Sequence, residues 1–306
     1  MKSIYHLLFI LPLSLCMSCE REFNFEGSVS DPKATLNAII NCTEDINEVK
    51  VAESVFLFGN QESKLIDNPN LKVKINGQNN DIWFDRNQDK SSYYKYTSAL
   101  KVEDKIEIIG NTPEHGEFKG ADIVPSKPEI VSVATDWFTG ATDNLSYLRT
   151  YIKIKDNADQ RNYYRIIVKS KILLDETMNV EDLEWQLLDI QVDQEIVFSN
   201  ISGVGSESED AHLYKIFSDD LFNGKEYTLN VYAQIDRFSS MPEVKHFIRV
   251  EIHALSENLY LYLKSLELAL AADRFQEPVK IFTNVDGGYG VVGVYNIGIK
   301  ELDVEN

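Results

Sequence analysis

Residues 147–155, YLRTYIKIK, alternate between apolar and polar side chains. Leu148, Ile152 and Ile154 fall on one face of an extended chain, and the charged side chains fall on the other face. Because successive side chains of a β-strand point to opposite faces, this period of two predicts a strand with one buried and one wetted side. The segment therefore predicts a sheet that is covered on one face.

Similar segments recur on both sides of residues 147–155. Short β-type runs fill residues 34–124 and are separated by turn signals, such as Asn76-Gly77 directly after LKVKI, which is typical of a hairpin. Later runs are YYRIIVKSKILLD, YTLNVYAQI, FIRVEIHAL and YGVVGVYNIGIKEL. Strands at this spacing indicate a mainly β protein built from sandwiches.

One segment changes its period. Leu259, Leu263, Leu266 and Leu270 follow one another at intervals of four, three and four residues. This spacing places them on one face of an α-helix. We therefore predict one amphipathic helix over residues 257–272, near the C-terminus.

Two prolines mark the expected domain boundary. Pro125 and Pro128 lie in VPSKPEI, and proline cannot donate a hydrogen bond to a central ladder. We therefore expect two β-sandwich-like domains. The first is an N-terminal Ig-like β-sandwich over residues 34–126, and the second is a β domain over residues 127–306 that carries the helix.

The N-terminus, MKSIYHLLFILPLSLCMSC, predicts an export signal. Its apolar run of about a dozen residues is shorter than the roughly 20 that a membrane-spanning helix needs. Met17 and Ser18 precede Cys19 in a pattern that resembles a lipobox, in which the cysteine receives a diacylglycerol. We expect residues 1–18 to be a signal peptide recognised at Met17 and Ser18, Cys19 to be the lipid attachment site, and residues 19–33 to be a lipidated tether.

A plain secretory signal is the alternative, in which Cys19 is lost or remains a free thiol. The chain has 3 cysteines, Cys16, Cys19 and Cys42. If Cys16 is removed and Cys19 is acylated, no intramolecular disulfide can form. Cys42, within ATLNAIINCT, is then expected to be a small core residue.

The charge excludes several classes of partner. The chain carries 30 Lys+Arg against 49 Asp+Glu, a formal net charge of −19. Non-specific affinity for nucleic acid comes from basic groups that neutralise phosphates, so we expect no nucleic-acid partner. Electrostatic adsorption to anionic lipid is disfavoured for the same reason. Membrane contact is expected through the lipid anchor, because two or more acyl chains hold a protein stably.

The motifs that resemble catalytic or cofactor sites are weak. Gly288, Gly290 and Gly293 spell G-x-G-x-x-G, but a dinucleotide site needs an acidic residue about 20 positions further on, and only 13 residues follow Gly293. These glycines are more simply explained by a tight turn and a close approach of the helix to the last strands. Glu251 and His253 share a strand face and are expected to be a surface pair. We expect no cofactor, no metal site and no catalytic residue.

Aromatic and sulfur-containing side chains are the candidate contact residues. Trp137 and Phe138 lie in ATDWFTGATDN, and Phe238 and Met241 lie in DRFSSMP. Both segments are expected to be loops, and large apolar groups on loops often contact partners. The alternative is burial at the interface between the two domains.

The C-terminal third resembles a known family. The segment RFQEPVKIFTNVDGGYGVVGVYN follows LYLYLKSLELA and FSDDLFNGKEYTL, and together they are similar to the Bacteroidota outer-membrane lipoprotein family called domain of unknown function 4249. The resemblance covers nearly the whole mature chain. It implies an accessory role in outer-membrane uptake, since members are often encoded beside TonB-dependent transporters. It implies no known activity and no functional residues.

The sequence therefore predicts a non-catalytic outer-membrane lipoprotein that binds a ligand or a TonB-dependent transporter. One alternative is a surface hydrolase acting on carbohydrate or peptide, which would need two carboxyl groups about 5–9.5 Å apart in a cleft. Another is a structural or adhesive surface protein. The ligand and the choice between the cell surface and the periplasmic face stay open.

Overall fold

The computed structural model confirms a mainly β fold with one α-helix near the C-terminus. It describes residues 31–55, 64–66, 68–86, 92–97, 99–174, 178–192, 196–201, 214–238, 244–271 and 279–304. The helix is α1 (Glu257–Ala271). The strands are β1 (Ala34–Asn41), β2 (Ile46–Glu53), β3 (Lys72–Ile75), β4 (Gln78–Asn80), β5 (Ile82–Arg86), β6 (Ser92–Thr97), β7 (Lys105–Thr112), β8 (Gly116–Ile123), β9 (Glu129–Thr139), β10 (Ser146–Lys155), β11 (Tyr163–Leu173), β12 (Gln186–Leu187), β13 (Ile216–Ser218), β14 (Glu226–Gln234), β15 (Lys245–Leu255), β16 (Val285–Asp286) and β17 (Tyr289–Val304). Two short 3-10 turns lie at Val180–Asp182 and Ile196–Ile201.

Three sheets make up the described fold. The largest has nine strands, eight of them in the order β12-β11-β15-β17-β1-β2-β6-β5, with β13 paired to β11. The other two have the orders β14-β10-β9 and β16-β8-β7-β3-β4. Two hydrophobic clusters join them: one packs β10 and β14 against β11 and β15, and the other packs β3, β7 and β8 against β1 and β2. The large sheet thus backs both small sheets.

The large sheet continues across the expected boundary at residues 126 and 127. Its first strand, β1, pairs in parallel with its last, β17, in a register that joins Ile40 to Val294. Val285, Val292 and Val294 accordingly belong to the hydrophobic cluster that the N-terminal strands form. The residues on the two sides of the boundary therefore share one sheet and one hydrophobic cluster, and the division into two domains stays a prediction.

The helix α1 lies against β17 and the beginning of β11. Ser256 caps it, since its hydroxyl oxygen accepts from the backbone N–H of Leu259 at 3.2 Å. Leu259 and Leu263 are buried against Tyr163. Gly293 permits this packing, because a Cβ there would come within 2.8 Å of the Leu259 Cβ. None of the helices that the structure describes is long and apolar enough to cross a membrane.

Two buried tyrosines differ in how their hydroxyl groups are satisfied. The Tyr164 hydroxyl donates to Oδ1 of Asp156 at 2.6 Å. The Tyr96 side chain is 0 % exposed, and its hydroxyl has no hydrogen-bond partner among the described residues. A buried polar group without a partner destabilises the fold by about 1–3 kcal/mol. Removing the Tyr96 hydroxyl therefore removes such a cost, but removing the Tyr164 hydroxyl creates one at Asp156.

Replacing these two hydroxyl groups should therefore have opposite effects. We expect Tyr164→Phe to lower the free energy of unfolding by about 1–3 kcal/mol, because it leaves the Asp156 carboxylate short of a donor. We expect Tyr96→Phe to leave that free energy unchanged or to raise it by about 1 kcal/mol. Urea unfolding of the two variants beside the wild type measures both values, and an equal loss in the two variants would contradict the assignment.

Candidate functional site

A cavity of about 800 Å³ opens at the C-terminal end of β8. We call it the junction cleft, and it is formed by residues 102, 103, 105, 121–126, 160–163 and 254–258. These segments come from the β7–β8 hairpin, the connection into β9, the loop before β11 and the start of α1. The cleft therefore combines residues from both halves of the sequence, and its volume lies in the range of small-ligand sites.

The connection between β8 and β9 crosses the large sheet beside the cleft. The Asn296 side-chain amide donates to the Pro125 carbonyl at 3.1 Å. Gly298 lies directly beneath Pro128, where a Cβ would come within 2.5 Å of the Pro128 carbonyl oxygen. The two prolines thus fix a segment that runs over β17, and the small sheets on either side leave the cleft open.

Asp122 forms the floor of the junction cleft and is 7 % exposed. Its Oδ1 accepts from the backbone N–H of Ile123 at 3.0 Å and from the Asn258 amide at 3.0 Å. Its Oδ2 accepts from the Ser256 hydroxyl and from the backbone N–H of Val294 at 3.0 Å. Four donors from β8, α1 and β17 therefore converge on one carboxylate.

Burial raises the pKa of the Asp122 carboxyl group, and the hydrogen bonds from Ser256, Ile123, Asn258 and Val294 act against that rise. A general acid must carry a proton that it can deliver to a substrate. Both oxygens of Asp122 are already occupied by protein donors. The geometry therefore assigns Asp122 a structural role at the base of the cleft.

A smaller cavity of about 280 Å³ adjoins the junction cleft. We call it the side depression, and it is formed by residues 126–129, 155–157, 162, 164 and 254. The two cavities share Ser126, Asn162 and Ala254. Together they form a trench along the connection between β8 and β9.

Two of the expected contact residues meet around a buried histidine. The Trp137 ring lies edge-on to His246 with 5.2 Å between ring centroids, and Phe238 stacks on the same imidazole at 6.2 Å. His246 is buried, which lowers the pKa of its imidazole. Trp137 also packs against the hydrophobic cluster of β10, β11 and β15. These side chains form a group at the edge of that core, away from the junction cleft.

Phe138 lies on the opposite face of its strand. It stacks on Tyr147 with centroids 5.2 Å apart, and the Arg149 guanidinium lies 4.5 Å from its ring centre. Both Trp137 and Phe138 are in β9, so the expected loop around them is wrong. Thr139 still pairs with Ser146, and the hairpin turn is confined to the residues between them. Asp136 and Thr139 are residue types typical of turns, but both pair with β10, and the turn begins only at Gly140.

The remaining expected site residues lie outside the described residues. They are Met17, Ser18, Cys19 and Met241. Among the residues that the structure describes, no group of three or more histidine, cysteine, aspartate or glutamate side chains is placed to hold a metal ion.

Glu251 and His253 are buried, so the expected surface pair is wrong. Lys169 Nζ lies 2.6 Å from one Glu251 oxygen, His253 Nε2 lies 3.3 Å from the other, and Tyr295 stacks on the imidazole at 4.9 Å. Burial acts to raise the pKa of Glu251, but the hydrogen bonds from His253 and Lys169 outweigh it and hold the pKa at about 2. The sequence predicts the alternation of β15. It does not predict that Tyr295, a residue of β17, covers the polar face of this strand.

Sequence reasoning missed Asp122, Arg161 and Glu257 as neighbours in one cleft. The local sequence signal nearest the cleft is Ser256, a residue type typical of a helix N-cap, which indicates that a helix begins there. A lone aspartate in the strand sequence EFKGADIV carries no pattern that predicts its four donors.

The sheets, the single helix and the cleft define a mainly β protein of sandwich-like construction. Within that class, the chain belongs to the family described as Domain of unknown function (DUF4249), whose model matches residues 20–301. The chain matches none of the curated proteins.

Exchanging one oxygen of Asp122 for an NH₂ group should destabilise the fold. In Asp122→Asn the new NH₂ group takes the place of either Oδ2 or Oδ1. In the first case it faces Ser256 and Val294, and in the second it faces Ile123 and Asn258. All four donate to Asp122 in the wild type. We expect the free energy of unfolding to fall by about 2–4 kcal/mol. Asp81→Asn is the matched control at an exposed aspartate, where we expect a change within about 0.5 kcal/mol. Denaturant titration of both variants checks this, and equal stabilities would remove the structural role of Asp122.

The stability should also depend on pH through Glu267. This side chain is 0 % exposed, one of its oxygens accepts from the Tyr214 N–H at 2.7 Å, and the other has no partner among the described residues. Burial raises its pKa from about 4.5 to about 7. Between those values the unfolded state releases its proton first, so stability falls as pH rises from about 4.5 to about 7 and stays low above that.

Glu267→Gln removes this titration. We expect the variant to be more stable than the wild type at pH 8 by about 1–3 kcal/mol and to match it near pH 4. Urea unfolding at both pH values measures the difference. Glu114→Gln, at an exposed glutamate, is the control, and a pH profile of Glu267→Gln like that of the wild type would contradict the prediction.

Proposed function

We propose that this protein is a non-catalytic outer-membrane lipoprotein that serves as a ligand-binding or accessory component of a TonB-dependent uptake system. Cys19 carries the lipid, and the junction cleft is the binding site. The observation that carries the binding role is the cleft itself, with its volume of about 800 Å³ and its mixed polar and apolar walls.

The occupied carboxylate of Asp122 supports binding over hydrolysis. A glycosidase needs one carboxyl group that delivers a proton and a second that attacks or activates water. Asp122 holds four protein donors and ties together the walls of the cleft. Glu257, also at the cleft, accepts from the Tyr163 hydroxyl at 3.1 Å. These two carboxylates stabilise the site, and a rigid site is what selective binding requires.

The leader sequence supports the lipid anchor. Met17-Ser18-Cys19 resembles the end of a lipoprotein signal, and residues 19–33 can reach at most about 50 Å when fully extended. A tether of that reach keeps the body close enough to the membrane to contact an embedded transporter. The acidic composition makes an acyl anchor necessary, because the surface charge gives no attraction to anionic lipid.

Cys19→Ser should release the protein from the envelope. The serine hydroxyl cannot take the thioether-linked diacylglycerol, so we expect most of the variant to leave the membrane pellet. Fractionation followed by immunoblotting measures the partition, with Cys42→Ser as the control that should stay in the pellet. If the fraction of Cys19→Ser in the membrane pellet equals that of the wild type, the proposed lipid attachment at Cys19 is wrong.

The same two strains test the partner. After crosslinking of intact cells, we expect a TonB-dependent transporter to co-purify with the wild type and with Cys42→Ser, and to be reduced at least tenfold with Cys19→Ser. Absence of any transporter from the wild-type eluate, together with normal uptake in a deletion strain, would overturn the accessory role.

A further inference from the structure

We propose that the trench formed by the junction cleft and the side depression binds an extended peptide. This inference rests on the proposed binding function and names the ligand class for the same site. Shape, charge and wall chemistry each support it.

The shape of the trench favours a chain over a compact molecule. Cavities of about 800 and 280 Å³ meet at Ser126, Asn162 and Ala254. A ligand that fills both must extend past these three shared residues. An extended polymer does so with successive residues, each rising about 3.3 Å along a strand-like chain.

The charges along the trench are nearly balanced, with four basic and five acidic side chains, although the whole chain is strongly acidic. Lys105 and Arg161 line the junction cleft together with Glu103 and Glu257, and the Arg161 guanidinium also pairs with Asp220 at 2.6 Å. In the side depression, two lysines, Lys127 and Lys155, again accompany two acidic groups, Glu129 and Asp156. Asp122 is a further acid, and its own four donors compensate its charge. A trench with both positive and negative side chains suits a ligand that carries both positive and negative charges, and it does not attract a polyanion.

Both polar and apolar groups line the walls. Val102 and Ile123 expose 46 % and 55 % of their surface at the cleft, which is high for aliphatic side chains. Ser126, Asn157 and Asn258 bring hydroxyl and amide groups to the same walls. Each residue of a peptide offers one N–H and one C=O together with a side chain, so walls with both kinds of group fit a peptide.

The aromatic rings of the trench do not offer free faces to a sugar. Tyr163 stacks on Tyr260 with centroids 4.4 Å apart, and the Arg161 guanidinium lies 5.5 Å from its ring centre. Tyr164 packs against Phe217 at 5.5 Å and Phe222 at 6.3 Å. Among the described residues that line the trench, these two are the only aromatic ones. Stacking of a pyranose ring, a common contact in glycan recognition, has no platform here.

The test uses the mature full-length chain with Cys19→Ser, so that it stays in solution. One arm offers a pool of random blocked octapeptides, and the other offers maltohexaose and cellohexaose. Native mass spectrometry identifies the bound class, and fluorescence anisotropy of a retained peptide gives its affinity. We expect peptides to be retained and the hexasaccharides not to be.

Ile123→Asp tests the position of the site. It places a charge on the exposed apolar wall, so we expect the affinity for the retained peptide to fall at least tenfold. Ile299→Asp is the matched control, because Ile299 is 53 % exposed and lies on β17 outside both cavities. We expect the control to bind like the parent protein, and thermal unfolding checks that both variants are folded.

The outcomes separate this inference from the proposed function. Retention of a hexasaccharide in place of peptides, or an equal loss of affinity in both variants, would overturn the peptide assignment. So would retention of neither class. Release from the envelope and co-purification of the transporter are measured independently, and those two results decide the accessory role whatever the trench binds.

Discussion

The carboxylate of Asp122 is the interaction on which the described fold depends most. It accepts from β8, from the capping serine of α1 and from the backbone of β17. A buried charge is tolerated only when donors replace the water that it has lost. Asp122 meets this condition by drawing three elements together, and its partners Ser256 and Val294 lie 134 and 172 positions from it in the sequence. The start of the helix and the last strand are thereby fixed relative to the N-terminal strands.

The same contact explains why a cleft exists at this place. The parallel pairing of β1 with β17 brings the two hydrophobic clusters onto one sheet. The small sheets that cover them are joined in sequence by the connection over β17, where the Asn296 amide donates to the Pro125 carbonyl. When two small sheets pack side by side on one large sheet, a gap is left between the edges of the small sheets. Asp122 and its hydrogen-bond donors lie at the bottom of that gap. The charged side chains, which neither hydrophobic core can bury, lie on its walls.

Local patterns predicted much of the fold but little of the site. The alternation around Ile152 and the leucine spacing at Leu259 depend on neighbouring residues, so sequence periodicity was sufficient to predict a strand and a helix there. The loop expected at Trp137 failed because turn-forming residue types also occur in hairpin strands, and only the partner strand decides between the two. The β1–β17 pairing and the convergence on Asp122 join residues far apart in sequence. No periodicity records such contacts, because they follow from how the elements pack.

The charge distribution connects the proposed anchor with the proposed site. A chain with a formal net charge of −19 is repelled by anionic lipid and by most acidic polymers, so the proposed placement at a membrane relies on acyl chains. Against that background a trench lined by four basic and five acidic side chains is a local departure from the acidity of the whole chain. Long-range attraction then contributes little to capture of a ligand, and selectivity depends on short-range contacts inside the trench. Such a site gains most from a rigid frame, which is what the four hydrogen bonds of Asp122 provide.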